Sequence, residues 1–374
     1  MTENNMPYCK YLKHKLFINY DNVAPCCWYR RGSPDSPSIP NIDDIPAIEA
    51  MRERALTVTG PIPECYQCTV KEELGLFSPR QNSYTVDYLQ TAVGNEILEI
   101  DFQIDERCNS ACIQCGSFNS TTWQQYNEKT TRGLPNKETI YIKRQTRVDE
   151  RLEKVKQFVN FDNIRKIHFI GGEPLDTDTH MRVLQEVKHS EQVYLAYTTN
   201  CSVYPDESVF EMWSKFKNII INFSMDGIGD HFEYIRWPLQ WHQSTANLKR
   251  FATANLPNMS FKVSVTALPF NILYMDRYNE WARDFFKDTN IDASDWFLRP
   301  NPCTGLINLS CVPDSLAAQV RAKYPDSQIS KMILPFNLQE YIKFMNYINY
   351  HDQHRKQDWK SVFPEVVDYF FEIT

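Results

Sequence analysis

From residue 96 onward, short runs of nearly unbroken apolar and β-branched residues alternate with stretches in which apolar residues recur every three or four positions. The runs are ILEIDFQI (97–104), KIHFIG (166–171), VYLAYTT (193–199), IIINFSM (219–225), FKVSVTAL (261–268) and DWFLRP (295–300). This length and composition predict strands buried on both faces. Between them, DERLEKVKQFVNF, HMRVLQEVKHS, SVFEMWSKFK and YNEWARDFFKD carry helical spacing. Repeated strand–helix units predict a parallel sheet or barrel. Residues 117–147 read as a long polar insertion, and the chain from about residue 314 reads as helices packed on the outside.

The first 95 residues have another pattern. KLFINY (15–20), turn residues Asp21-Asn22 and VAPCCW (23–28) predict a β-hairpin. GSPDSPSIPNID (32–43) is a loop by its Pro and Ser content. DDIPAIEAMRERAL (43–56) opens on acidic residues, has Pro46 in its first turn and Arg late, and spaces Ile45, Ile48, Met51 and Leu56 as one face of a helix. A second loop, TVTGPIPECYQC (57–68), carries Cys65 and Cys68, and residues 69–95 connect this unit to the strand–helix region. There is no internal repeat and no low-complexity tract.

Composition narrows the class. A chain of 374 residues predicts one large domain plus a smaller one. Hydrophobic residues at 42% and charged residues at 23% fit a globular protein. A formal charge of −7 argues against a broad nucleic-acid footprint. The polar start MTENNMPYCKYLKHK has no apolar leader, and no run is long enough to span a bilayer, so the expectation is a cytoplasmic protein with reduced thiols. Eleven cysteines in that compartment point to metal rather than disulfides.

The chemistry gathers where predicted strands end, as active sites of parallel α/β folds do. The first strand leads into CNSACIQCG, which spaces Cys108, Cys112 and Cys115 as C-x3-C-x2-C; the second leads into Gly171-Gly172-Glu173-Pro174, the third into Thr199-Asn200-Cys201, the fourth into FSMDG (223–227). Three thiolates with no fourth cysteine or histidine nearby suit a 4Fe–4S cluster with one iron left open. A structural zinc site wants four ligands.

These motifs, in this order, resemble the radical S-adenosylmethionine (radical SAM) superfamily. The resemblance implies an α/β partial (β/α)6 TIM-like barrel over 96–312, with the triplet after its first strand and C-terminal helices over 313–374. It implies that SAM chelates the open iron and is cleaved on reduction to a 5′-deoxyadenosyl radical that abstracts hydrogen from a substrate, with a flavodoxin- or ferredoxin-like protein as electron donor. The cofactors carry that chemistry and the protein positions them. Residue by residue, Gly171, Gly172, Glu173 and Pro174 match the GGEP motif that binds the SAM ammonium. Ser224 and Asp226 match an S-x-D-G motif near the SAM ribose and carboxylate. Asn200 matches the polar residue of a T-N-G motif whose glycine is here Cys201, and Ile113 stands where a residue beside the adenine is often aromatic. Arg236 is a candidate for a carboxylate of SAM or substrate.

Residues 1–80 resemble the SPASM or twitch modules that hold an auxiliary cluster, here placed before the barrel. Their pattern of a cysteine, a hairpin, P-C-C, a helix and C-x2-C matches Cys9, Cys26-Cys27 and Cys65-x2-Cys68. It implies a second 4Fe–4S cluster on Cys9, Cys26, Cys65 and Cys68, with Cys26 favoured over Cys27 because it follows Pro25. A zinc ribbon is the rival for these four, and Cys201, Cys303 and Cys311 read as buried structural thiols. By analogy with such modules the substrate is a peptide or protein. The alternatives are a small molecule such as a sugar or nucleoside, or a non-catalytic iron–sulfur or zinc protein.

Overall fold

The computed structural model describes residues 9–20, 22–29, 39–103, 105–131, 137–254, 256–289, 291–303 and 305–371, without the side chains of 128–131 and 137–146. Asp21 of the expected hairpin turn and residues 32–38 of the first loop lie outside them.

Seven strands form the main sheet: β1 (Lys15–Asn19), β2 (Asn22–Ala24), β3 (Glu99–Gln103), β4 (Lys166–Phe169), β5 (Tyr194–Thr199), β6 (Asn218–Ser224) and β7 (Met259–Ser264). They lie in the order β2-β1-β3-β4-β5-β6-β7, and every neighbouring pair is parallel except β1 with β2. Past Val265, β8 (Thr266–Ala267) pairs in parallel with β9 (Asn301–Pro302). With helices between most successive strands, this is the expected mixed α/β fold built on a partial TIM-like barrel.

Alternation along the strands separates two faces. Ile100, Phe102, Ile167, Phe169, Leu195, Tyr197, Ile219, Ile221 and Phe223 belong to the main core. They pack against helices that include Thr179–Gln185, Glu207–Trp213 and Trp241–Thr253, as when the Tyr197 ring meets that of Trp213 at 5.0 Å. The other face carries Glu99, Asp101, Gln103, Lys166, His168, Thr198 and Asn222. On β4 and β6 these inward positions are only half-buried, so burial on both faces, expected from the sequence, does not hold there: the second face lines the barrel interior.

One element differs from expectation. The segment Asp295–Pro300 is a turn, with Leu298 N–H donating to the Asp295 carbonyl at 3.1 Å. Its aromatic residues serve packing instead: Phe297 meets Tyr278 at 5.5 Å and Trp296 meets Phe286 at 4.9 Å. The edge strand is displaced to Asn301–Pro302. The expected N-terminal hairpin forms, β1 pairing antiparallel with β2, and it extends the main sheet. β1 docks beside β3, pairing Lys15 with Glu99 and Phe17 with Asp101.

Charge holds that junction. Lys15 Nζ lies 2.7 Å from Glu99 Oε1 and 2.9 Å from Asp101 Oδ2, with all three side chains buried. Lys166 Nζ reaches Glu99 at 3.0 Å, and Tyr88 donates its hydroxyl to Glu99 Oε2 at 2.6 Å. Burial alone would raise both carboxyls, but the Lys15 ammonium holds them below the usual carboxylate range. Breaking a buried pair by removing one partner costs about 3–5 kcal/mol. Lys15→Met should therefore lower the unfolding free energy of the apoprotein by about that much, read from denaturant titration; a loss of only a few tenths of a kcal/mol would show that the junction does not depend on the pair.

Among the described residues no helix is long and apolar enough to cross a membrane. The helix predicted after the first loop runs Ile45–Thr57, with Asp44 accepting from Ala47 N–H at 3.1 Å as its N-cap.

Candidate active site

The loop after β3 carries the cysteine triplet, and side chains face one another there. Ser110 Oγ lies 3.2 Å from Cys108 Sγ and 3.4 Å from Cys112 Sγ, so both thiols turn to one side. Burial pushes the Cys108 thiol up to about 12 and the Cys115 thiol up to about 11, with Cys112 beside each adding to the shift. A metal that binds these sulfurs displaces their protons. Among the described residues no three His, Cys, Asp or Glu side chains converge as a single-ion site. Tetrahedral zinc needs its ligands around one point, whereas a cluster gives each thiolate its own iron and spaces them wider. Three cysteine thiols on one loop are a donor set that fits a 4Fe–4S cluster with one iron left open.

The Gly171–Pro174 loop packs directly on this segment. Gly171 and Gly172 have φ of +77° and +58°. A Cβ on Gly172 would overlap the Arg107 carbonyl oxygen. Glu173 N–H donates to that same oxygen at 2.7 Å. The Glu173 carboxylate, fully buried, accepts from Thr199 Oγ1 at 2.7 Å, from Asn200 N–H at 2.6 Å and from Leu175 N–H at 3.1 Å. Burial pushes it up to about 7 against these donors. It joins the loops after β4 and β5, and Pro174 starts the short turn Pro174–Asp176 that it caps.

After β5, Asn200 Nδ2 donates to Asn109 Oδ1 at 2.9 Å and lies 4.0 Å from Cys108 Sγ. Cys201, at the position of the motif's glycine, takes φ +62°, a conformation that costs an ordinary residue about 1–2 kcal/mol. Its side chain is buried and its thiol donates to the Ser244 carbonyl at 3.5 Å.

After β6, Ser224 stands half-buried opposite Ser264. Asp226 is fully buried and accepts from Thr266 N–H at 2.7 Å, from Gln114 Nε2 and from Arg236 Nη2, the last at 2.7 Å. Arg236 Nη1 points at Cys112 Sγ, 3.7 Å away. Arg236 thus bridges the S-x-D-G aspartate and a cysteine of the triplet, and its two terminal nitrogens are engaged within the protein. Ile113 is buried in the main core, and its backbone N–H donates to the Ile235 carbonyl at 2.8 Å.

In the N-terminal unit Cys9, Cys26, Cys65 and Cys68 are buried and near enough to influence one another electrostatically. Cys27 turns the other way, toward Asp101 and Lys15. Sequence reasoning missed Asn109, Ser110, Gln114 and Arg355, which join the triplet loop to its surroundings. The first three stand inside the motif and were visible as polar residues, whereas nothing in the local sequence marks Arg355.

The arrangement places three cysteine thiols at the strand ends of a partial parallel barrel. Residues 103–282 match the family described as the Radical SAM superfamily. Among solved structures, anSMEcpe with bound AdoMet is similar at 16% identity over 69% of this chain and 58% of that one, with a TM-score of 0.38. The anSMEcpe structure with AdoMet and the Cp18Cys peptide is similar at 16% identity over 60% and 59%, with a TM-score of 0.35. Streptococcus suis SuiB bound to S-adenosylmethionine is similar at 13% identity over 67% and 58%, with a TM-score of 0.30. The chain thus spans 58–59% of the length of these proteins. No curated protein matches it.

Proposed function

We propose that this protein binds one 4Fe–4S cluster on Cys108, Cys112 and Cys115, with SAM at the open iron, and a second on Cys9, Cys26, Cys65 and Cys68, and that it modifies a peptide or protein substrate. The observation that carries the reading is a buried loop that turns thiols to one side of a strand-end site without supplying a fourth ligand. Bound there, the reduced cluster and SAM supply a 5′-deoxyadenosyl radical for hydrogen abstraction. The chain's part is positioning. Glu173 and Asp226 brace the loops around the centre, Arg236 sets a positive charge beside Cys112, and Asn200 and Ser224 offer polar groups to SAM. The half-buried polar face of β4 to β6 gives the substrate a polar wall inside the barrel. The peptide or protein substrate rests on the likeness of the N-terminal unit to auxiliary-cluster modules, and the electron donor is a flavodoxin- or ferredoxin-like protein.

Anaerobically reconstituted protein should carry about eight irons, as two 4Fe–4S clusters, and the triple Ala variant of Cys108, Cys112 and Cys115 should keep about half. The reduced wild type should release 5′-deoxyadenosine from SAM and the triple variant should not. Tightly bound zinc in place of iron, or SAM left intact by the reduced wild type, would sink the reading.

A further inference from the structure

The helix Leu338–Arg355 lies outside the strand–helix units of the barrel, yet it reaches the backbone of the cysteine loop. Tyr347 donates its hydroxyl to the Ile113 carbonyl at 2.8 Å, and Arg355 donates from Nη2 to the Ala111 carbonyl at 2.9 Å. These two carbonyls flank Cys112. Their neighbours are held as well: the Ser110 carbonyl accepts from Ser120 Oγ at 2.5 Å, and the Cys112 carbonyl accepts from Trp123 Nε1 at 2.9 Å. Four consecutive carbonyls thus accept from four different side chains, two of them on the C-terminal helix.

Arg355 is also a junction. Its guanidinium lies 4.9 Å from the Trp123 ring and 5.1 Å from the rings of Tyr126 and Trp237. Trp123 and Tyr126 sit on the helix Thr121–Thr131 that comes after the loop. Trp237 belongs to the segment that pairs with the loop, its carbonyl accepting from Ala111 N–H at 2.7 Å. A buried cation is costly unless it is compensated, and here three π faces and a carbonyl offset part of that cost. The same helix is tied down through His351, whose Nδ1 lies 2.9 Å from the Tyr126 hydroxyl, and Asp352, which accepts from the Tyr234 hydroxyl at 2.8 Å. A helix that merely covered the core would need only apolar contacts such as those of Phe344 and Ile348.

We propose that Arg355 and Tyr347 are positioning residues for the three-cysteine centre: they fix the 110–113 backbone so that the thiols hold the cluster in the orientation at which SAM reaches the open iron. The proposal rests on the reading above. Cys112 belongs to this segment and Ser110 Oγ contacts both Cys108 and Cys112, so rotating the 110–113 peptides moves the Cys112 sulfur and its link to Cys108. Supporting groups outside the ligand shell commonly set ligand orientation in this way.

The test uses the full chain, reconstituted anaerobically, as wild type, Arg355→Met, Arg355→Lys and Tyr347→Phe. It reads SAM affinity, and the paramagnetic resonance of the reduced cluster with and without SAM. Tyr347→Phe and Arg355→Met should each weaken SAM binding about tenfold, about what one hydrogen bond is worth, and should change the spectral shift that SAM induces. Arg355→Lys, which keeps the charge and a donor, should recover part of both. Variants with a lowered melting temperature but wild-type SAM affinity and spectra would overturn the proposal, because the helix would then be packing alone. If Arg355→Met fails to fold, Tyr347→Phe decides by the same readings. A wild type that takes up no iron overturns the underlying reading and this proposal with it; a normal wild type with normal variants overturns the proposal alone.

Discussion

With Cys108, Cys112 and Cys115 already replaced by Ala, Cys26→Ala should take the remaining iron, about four atoms, close to zero, and Cys27→Ala should leave it almost unchanged. The two cysteines come after β2 in a turn, where Tyr29 N–H donates to the Cys26 carbonyl at 3.1 Å. Their side chains diverge. Cys26 faces Cys9 and Cys68, and Cys65 faces Cys26, Cys9 and Cys68. Burial and the neighbouring Asp101 carboxylate hold the Cys27 thiol well above the ordinary range. What separates Cys27 from Cys26 is therefore its direction, toward the Asp101 carboxylate and away from the other cysteines. Removing Cys26 takes one of four donors from the group, with Cys27 aimed at the β1–β3 junction and not at the gap. The measurement is the iron count and the paramagnetic resonance of the reduced protein in each variant. Equal loss in both variants, or loss only in Cys27→Ala, would overturn the assignment, and zinc in all of them would replace the cluster with a zinc site.

The sequence revealed most where residues serve one purpose. β3 to β7 were legible because their apolar positions, such as Ile100, Ile167, Leu195 and Ile219, all face the helices. The Asp295–Pro300 run misled because Trp296 and Phe297 are apolar for the sake of the rings they meet, and an apolar run alone does not separate a strand from a packed turn. The placement of β1 was hidden for a different reason. Its partner is 84 residues away, and Lys15 reads as a surface residue until Glu99 and Asp101 stand beside it. In the site, the triplet was visible from its spacing. What the neighbouring motifs do was less so, since Glu173, Asp226 and both glycines of 171–174 contact other loops of this chain, and such pairings are set by the fold. Arg355 acts on Ala111 across 244 positions, with no local pattern to mark it.

Gly172→Ala should be among the most damaging single substitutions in the barrel, lowering the unfolding free energy of the apoprotein by about 3 kcal/mol or more and the iron held by the triplet with it. Two causes add. Gly172 has φ +58°, which costs a residue with a Cβ about 1–2 kcal/mol. The added Cβ would also overlap the Arg107 carbonyl oxygen and sit 2.8 Å from that of Asp105. Backbone cannot swing aside as a side chain can. The Arg107 carbonyl is bound to Glu173 N–H at 2.7 Å, and the next residue is Cys108. Relieving the clash moves either the first cysteine of the triplet or Glu173, and Glu173 carries the bonds to Thr199 and Asn200 with it. Gly171→Ala is the control. Its φ of +77° carries a similar strain, but the nearest atoms its Cβ would meet belong to the Gln103 side chain, Cγ first, which can take another rotamer by giving up its hydrogen bonds to Tyr20 and Asn119. Gly171→Ala should therefore cost about 1–2 kcal/mol and keep most of the iron. Denaturant unfolding of the two apoproteins, with iron counts after reconstitution, separates strain from collision: equal losses would mean that the close approach of the Gly171–Pro174 loop to residues 105–107 does not hold the centre in place.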